Sequence, residues 1–250
     1  MTRPVTLITG ASAGLGAEFA RPCARRGDEL VLVARRRERL EALAAETGRA
    51  HAIALDLAAP GAARRLAGEV EARGFTVDTL INNAGFGLVG RFAALPLERQ
   101  REMIDLNIAA LVELSHLVLP AMLARRDGAI LNIASTAAFQ AGPGMAVYFA
   151  GKAFVLSFTE ALHQEVRGKG VRVSALCPGP TATEFGEVAG AGARFNRFAA
   201  DARDVVAAGL RGLDRNKAIV VPGALNKLTA QSNRLIPRAA MRRIVDRLKI

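Results

Sequence analysis

The 250-residue sequence predicts an α/β fold: a doubly wound parallel sheet of seven strands between two layers of helices, three layers in all. Three observations predict it. Short apolar runs recur along the chain with helical stretches between them, their hydrophobicity is continuous rather than alternating, and the first run ends in a glycine-rich turn. Continuous apolar runs mark strands covered on both faces, and the stretches between them are long enough for right-handed crossovers.

In order, the expected strands are VTLIT at 5–9, ELVLVA at 29–34, AHAIAL at 50–55, DTLIN at 78–82, AILNIA at 129–134, VRVSAL at 171–176 and AIVVP at 218–222. Leu, Ile, Val and Ala at helical spacing place the two longest helices at 97–126 and 146–168. Pro22 falls inside the first helix, where it removes a backbone hydrogen bond and should bend the axis. No linker, repeat or low-complexity tract interrupts the chain, so 1–250 is expected to be one domain.

Two segments stand apart. The loop at 184–200 combines Gly and Ala with Phe185, Phe195 and Phe198, a composition that suits either a mobile lid over an apolar ligand or ordinary core. The tail at 224–250 is basic and helical; Met241, Ile244, Val245 and Leu248 form an apolar stripe flanked by Arg238, Arg242, Arg243, Arg247 and Lys249. Packing on the body or on a sister subunit is preferred for that stripe over an anionic membrane surface.

Composition narrows the class of function. Hydrophobic residues make up 51% of the chain, ample for a packed core, and no uncharged apolar run approaches the roughly 18 residues of a membrane span. The opening MTRPVTLITG passes into a strand without a secretory leader, and Cys23 and Cys177 offer no disulfide framework, so a cytoplasmic setting is expected. His51, His116 and His163 are scattered, and no metal site is expected. The net charge of +11 favours anionic partners without choosing among them. No nucleic-acid motif or aromatic stacking surface accompanies it, so nucleic acid is not expected.

The first strand ends in T-G-A-S-A-G-L-G at 9–16. Gly10, Gly14 and Gly16 permit a tight turn and a close helix start, with backbone amides facing a pyrophosphate. The second strand runs out into Ala34, Arg35, Arg36 and Arg37 with no carboxylate. An acidic residue there would bind a ribose hydroxyl and repel a 2′-phosphate, whereas arginine meets the phosphate with charge-assisted hydrogen bonds. NADP(H) is therefore the expected cofactor, with Arg35 the principal contact helped by Ser12 and Arg36. The alternative is that these arginines begin a solvated helix.

Further motifs follow in order: N-N-A-G at 82–85, Asn107 in the next long helix, Ser135, Y-x-x-x-K at 148–152, and P-G-x-x-x-T at 178–183. With the glycine turn they make the chain, over about residues 5–223, resemble the short-chain dehydrogenase/reductase family. The resemblance implies a Rossmann fold of seven strands, a nicotinamide cofactor, and reversible hydride transfer between a carbonyl and an alcohol. It assigns Tyr148, the only tyrosine, as general acid/base, Lys152 as its cation and holder of the nicotinamide ribose, Ser135 as oxyanion donor, and Asn107 as anchor of a water leading to Lys152. A free phenol ionises near pH 10, and one cation about 4 Å away at an effective dielectric of about 20 supplies roughly the three-unit depression needed for work near neutrality.

By matched position, Gly10, Ser12, Gly14, Leu15 and Gly16 hold the pyrophosphate turn. Asp56, with Leu57, meets the adenine amino group or instead caps a helix, and Asn82, Ala84 and Gly85 line the adenosine side. Pro178 and Gly179 present backbone to the carboxamide, with Thr181 and Thr183 beside the cofactor. Specificity is expected in 86–92, 137–147 and 184–200. A hydrophobic ketone or aldehyde is the expected substrate. The alternatives are a 3-oxoacyl-carrier ketoreductase, its acidic carrier docking on Arg125, Arg126, Arg167 and Lys169, and a non-catalytic NADP(H)-binding sensor or scaffold. The longer chain after 223 departs from the carrier reductases, and a sensor has no need of Ser135, Tyr148 and Lys152 together. The family resemblance also implies a homodimer or homotetramer.

Overall fold

A computed structural model describes residues 2–190, 199–232 and 236–247. Among them, strands β1 (Arg3–Thr9), β2 (Leu30–Ala34), β3 (Ala50–Ala54), β4 (Phe75–Asn82), β5 (Gly128–Ile133), β6 (Val171–Leu176) and β7 (Ile219–Val220) form one sheet in the order β3-β2-β1-β4-β5-β6-β7. Every pairing is parallel. The chain turns outward in both directions from β1, so the crevice beyond the carboxyl ends of β1 and β4 is where such a sheet takes a ligand.

The helices are α1 (Gly14–Arg25), α2 (Arg37–Thr47), α3 (Ala62–Ala72), α4 (Leu97–Ile104), α5 (Ala110–Arg125), α6 (Ala146–Glu165), α7 (Phe185–Ala189), α8 (Ala202–Asp214), α9 (Ala224–Ser232) and α10 (Arg238–Arg247). Successive strand residues point to opposite faces. Leu7, Val31, Leu80 and Ile130 therefore join Leu66 and Leu114 in one core, while Ile8, Leu32, Ile81 and Leu131 join Phe19 and Leu210 in the other. Both faces are covered, which is why the central strand β2 reads as uninterrupted apolar sequence.

Local detail adds to these expectations and changes two of them, the start of β4 and the helix at 97–126. Strand β4 starts at Phe75 rather than at 78, with a register shift against β1 between Val5 and Thr6. Pro22 lies within α1, as expected, in the last turn of a helix that runs to Arg25, and its carbonyl accepts from the Arg26 amide at 3.0 Å. The expected helix at 97–126 is interrupted by a wide π turn at Asp105–Ala109 that holds Asn107. By length and composition, Leu97–Arg125 is long and apolar enough to cross a membrane. Its Leu111, Leu114, Val118 and Met122 are instead buried in the cores of this fold.

In the tail, Met241 and Val245 of α10 are buried in a third cluster with Phe86, Met103, Met145 and Tyr148, so this part of the stripe packs on the body. Leu248 and Lys249, and Phe195 and Phe198 of the 184–200 loop, lie outside the described residues.

Candidate active site

A cavity of about 970 Å³ opens at the carboxyl ends of the central strands. Its floor is the turn after β1. Gly10 has φ of 67°, and a Cβ there would stand 2.8 Å from the Ala84 Cα. At Gly16 a Cβ would fall 2.2 Å from the Gly10 carbonyl oxygen, so only glycine lets α1 start this close to the sheet. Ala13, at the helix N-cap, has no side-chain acceptor. The first amides of α1 consequently have no side-chain cap and offer an anion site beside Ser12, Gly14 and Leu15, all of which line the cavity. This cradle fits a pyrophosphate, and the cavity fits a dinucleotide.

At one end the lining includes Ala34, Arg35, Arg36, Asp56, Leu57, Ala84 and Gly85. Arg36 Nε donates to Ser12 Oγ at 3.2 Å. Arg35 turns to Glu102 of α4 at 3.2 Å and leaves its side chain 59% exposed. Asp56 Oδ1 accepts from the Ala58 amide at 3.0 Å, closing a local turn rather than capping α3, whose N-cap is Gly61, and Asp56 borders the cavity.

Asn82 corrects a sequence expectation, because its side chain lies in the core rather than on the cavity. Its Nδ2 donates to Ser115 Oγ at 3.1 Å and Asn132 Oδ1 at 2.9 Å, and Asn132 Nδ2 donates to Thr159 Oγ1 at 3.0 Å. This buried polar chain ties β4 and β5 to α5 and α6. The lining position belongs to the next residue, Asn83, whose Nδ2 donates to the Thr9 carbonyl at 2.9 Å. Strand alternation was the signal that separates the two. Gly16, under the helix start, is likewise absent from the lining and acts through packing.

At the other end Ser135 follows β5, and Tyr148 and Lys152 lie one turn apart on α6, all three bordering the cavity. Lys152 Nζ donates to the Ile133 carbonyl at 2.7 Å and lies 5.8 Å from the Tyr148 ring centroid. Ser135 Oγ accepts from the Ala137 amide at 3.1 Å and donates to the Pro178 carbonyl at 3.4 Å. Tyr148 is only 8% exposed and Lys152 only 7%.

Burial governs the protons here. It pushes the Tyr148 phenol up to about 12, opposed by a hydrogen bond with Ser135. It brings the Lys152 ammonium down to about 8, with Cys177 pulling the other way. The expected depression of the phenol by Lys152 is therefore not what this arrangement produces. The physical reason is placement: the ammonium is drawn to the Ile133 carbonyl instead of the phenolic oxygen, and desolvation dominates both groups.

Asn107 lies in the π turn, with its side chain committed to the backbone after β4. It is 3% exposed and does not line the cavity; Oδ1 accepts from the Phe86 amide at 3.1 Å and Nδ2 donates to the Phe86 carbonyl at 2.9 Å. Its side chain clamps the segment after β4. Pro178, Gly179, Thr181 and Thr183 do line the cavity, and Thr183 Oγ1 accepts from the Phe185 amide at 3.3 Å.

Beside Tyr148 the wall is apolar. Phe86, Ala137, Met145, Phe149, Phe185 and Val188 line it, with Gln140 as a polar exception. The Phe185 ring centroid stands 5.5 Å from that of Tyr148. Phe86 falls in 86–92, Met145 in 137–147, and Phe185 and Val188 in 184–200, the three segments expected to set specificity. Among the described residues no cluster of three His, Cys, Asp or Glu stands close enough to hold a metal.

A parallel sheet with a glycine cradle at its switch point, and Ser, Tyr and Lys at the far end of the same cavity, defines an oxidoreductase that uses a nicotinamide dinucleotide on alcohol and carbonyl groups. The chain belongs to the short-chain dehydrogenase/reductase family: residues 4–193 match the family model described as short chain dehydrogenase. It is 41% identical over 186 residues to sulfoacetaldehyde reductase 2 of Chromohalobacter salexigens, covering 72% of this chain and 74% of that protein. Among solved structures, a short-chain dehydrogenase from Sphingobium yanoikuyae in complex with NADPH superposes with a TM-score of 0.83 at 35% identity, covering 94% of this chain and 97% of that one. The bulky-bulky ketone specific alcohol dehydrogenase from Comamonas testosteroni gives 0.77 at 32% identity, covering 96% and 97%.

Proposed function

We propose that this chain is an NADP(H)-dependent reductase of hydrophobic ketones or aldehydes. One observation carries this: a single cavity joins the Arg35 and Arg36 end to an apolar pocket in which Ser135, Tyr148 and Lys152 meet. Among the described residues, Lys152 is the one cation lining the pocket end, which suits an uncharged carbonyl. The NADPH-bound and ketone-specific relatives point the same way.

The cradle at Gly10–Gly16, with Asn83 and Thr183, would hold the cofactor, and bound NADPH supplies hydride to the carbonyl carbon. Ser135 Oγ donates to the carbonyl oxygen and holds it beside the phenol. Tyr148 then gives its proton to the developing alkoxide. An alkoxide is about as basic as hydroxide and far more basic than a phenolate, so a phenol at about 12 still donates downhill. Tyr148 is in its donor form at neutral pH, and burial makes loss of that proton to solvent harder still. Lys152, at about 8, is cationic at neutrality and stabilises the phenolate that remains.

At the cofactor end both Arg35 and Arg36 line the cavity, and the hydrogen bond from Arg36 to Ser12 supports Arg36 as the principal phosphate contact ahead of Arg35. A carrier-protein ketoreductase is less well supported. Arg125 and Arg126 precede β5, and Arg167 and Lys169 precede β6, so all four sit at the sheet edge opposite the cavity. Self-association is supported by the stacked Phe154 and Phe158 on α6, Phe154 being 43% exposed. A cytoplasmic setting is supported by two free, buried cysteines.

The test is NADPH oxidation across bulky ketones, aromatic aldehydes, β-ketoacyl thioesters and small anionic aldehydes. Bulky or aromatic carbonyls should give the highest kcat/KM, and turnover confined to the anionic aldehydes or thioesters would reject the substrate class.

A further inference from the structure

The guanidinium groups at the adenosine end already grip a carboxylate. Glu184 sits between Thr183 and the first residue of α7, and lines the same cavity. One of its oxygens accepts from Arg36 at 3.0 Å and the other from Arg39 at 2.6 Å. Arg39 lies on α2 one turn beyond Arg36, and Arg36 reaches Ser12 with its remaining edge. Hydrogen bonds from Arg39 and then Arg36 hold the Glu184 carboxyl below its ordinary value, so the carboxylate stays ionised between the two guanidinium groups at neutral pH.

A carboxylate bridging two guanidinium groups presents the charge and acceptor oxygens that a phosphate monoester would bring to them. A phosphate arriving at Arg36 meets a like charge already in place, and the two anions repel at contact distance. The three side chains are 42% to 50% exposed, so each pair is weak enough to exchange. Glu184 also immediately precedes Phe185, whose ring packs beside Tyr148. Displacing the carboxylate therefore moves the start of a helix that walls the substrate end.

Resting on the NADP(H) preference proposed above, we infer that Glu184 is a specificity-determining residue that occupies the 2′-phosphate contact as a built-in competitor. A dinucleotide bearing that phosphate takes Arg36 and Arg39 from Glu184 and loosens α7, whereas one lacking it leaves the bridge in place. The position of Phe185 at the pocket then depends on which cofactor is bound.

The test uses adenosine 2′,5′-bisphosphate and 5′-AMP, which lack the nicotinamide and need no turnover. Calorimetric titration into the full wild-type chain and Glu184→Gln should show the bisphosphate binding about fivefold tighter to the variant, with 5′-AMP nearly unchanged. Hydrogen exchange over Phe185–Ala189 should rise when the bisphosphate binds wild type and stay flat with 5′-AMP. In Glu184→Gln it should already be raised without ligand. If wild type prefers the bisphosphate but Glu184→Gln binds it equally or more weakly, Glu184 supports the phosphate site and the competitor role is overturned. If wild type shows no preference between the two ligands, the NADP(H) assignment itself fails.

Discussion

The two ends of the cavity solve different problems with opposite physics. At the adenosine end the working groups are charged, long and half exposed, and each has a carboxylate partner drawn from elsewhere in the chain: Glu102 for Arg35, Glu184 for Arg36 and Arg39. At the catalytic end they are short of water, nearly buried, and held by backbone carbonyls and amides. Exposed ion pairs are each worth about 0.2–1 kcal/mol, so the phosphate recognition proposed there would rest on several replaceable contacts. Burial at the other end shifts proton affinities by about two units or more, so single side chains decide the chemistry. Specificity is spread out where the site is wet and concentrated where it is dry.

The largest expected effect belongs to the dry end. Tyr148→Phe removes the proton donor without changing the ring's packing, and NADPH-dependent turnover should fall by about 10²–10⁴-fold while cofactor binding, followed by fluorescence, is retained. Because Tyr148 is the only tyrosine and the chain has no tryptophan, near-ultraviolet absorbance titrates this phenol alone. In the cofactor-free protein it should ionise near 12 rather than near 10, and phenolate visible at pH 9 would contradict the dry placement.

Lys152 gives a stability counterpart. Its folded value of about 8 lies below the ordinary 10.5, so between those pH values the unfolded chain binds more protons and the wild type gains stability as pH rises. The burial penalty is full below pH 8. Lys152→Met should therefore exceed wild type most in urea stability at pH 7, and the gap should narrow by about 3 kcal/mol on going to pH 10.5.

Smaller effects are expected at the wet end. Arg36→Ala should weaken NADPH binding about tenfold relative to NADH. Arg35→Ala, whose guanidinium is exposed and tied to Glu102, should cost about threefold. A larger loss for Arg35 than for Arg36 would reverse the order of the two contacts and place the phosphate nearer α4.

Most of the fold was legible because both faces of the sheet are covered: the central strands β1, β2 and β5 read as largely apolar runs, and the switch point follows from the glycine turn after β1. The site was legible in part. Motif spacing brought Ser135, Tyr148 and Lys152 to one place, since Y-x-x-x-K is one helical turn and Ser135 ends a strand. It misplaced Asn82, because the last residue of β4 turns into the core and Asn83 takes the cavity. It missed Glu184, whose partners stand 145 and 148 residues away in the chain.

Sequence alone determined the fold class, the parallel sheet and the family, and it nominated Ser135, Tyr148 and Lys152, because periodicity, glycine geometry and helical spacing are local properties. Only the tertiary structure decided where the protons sit and which charges meet. Desolvation of Tyr148 and Lys152 depends on everything packed around them, and the Glu184 bridge depends on a loop returning to α2 across the whole sheet.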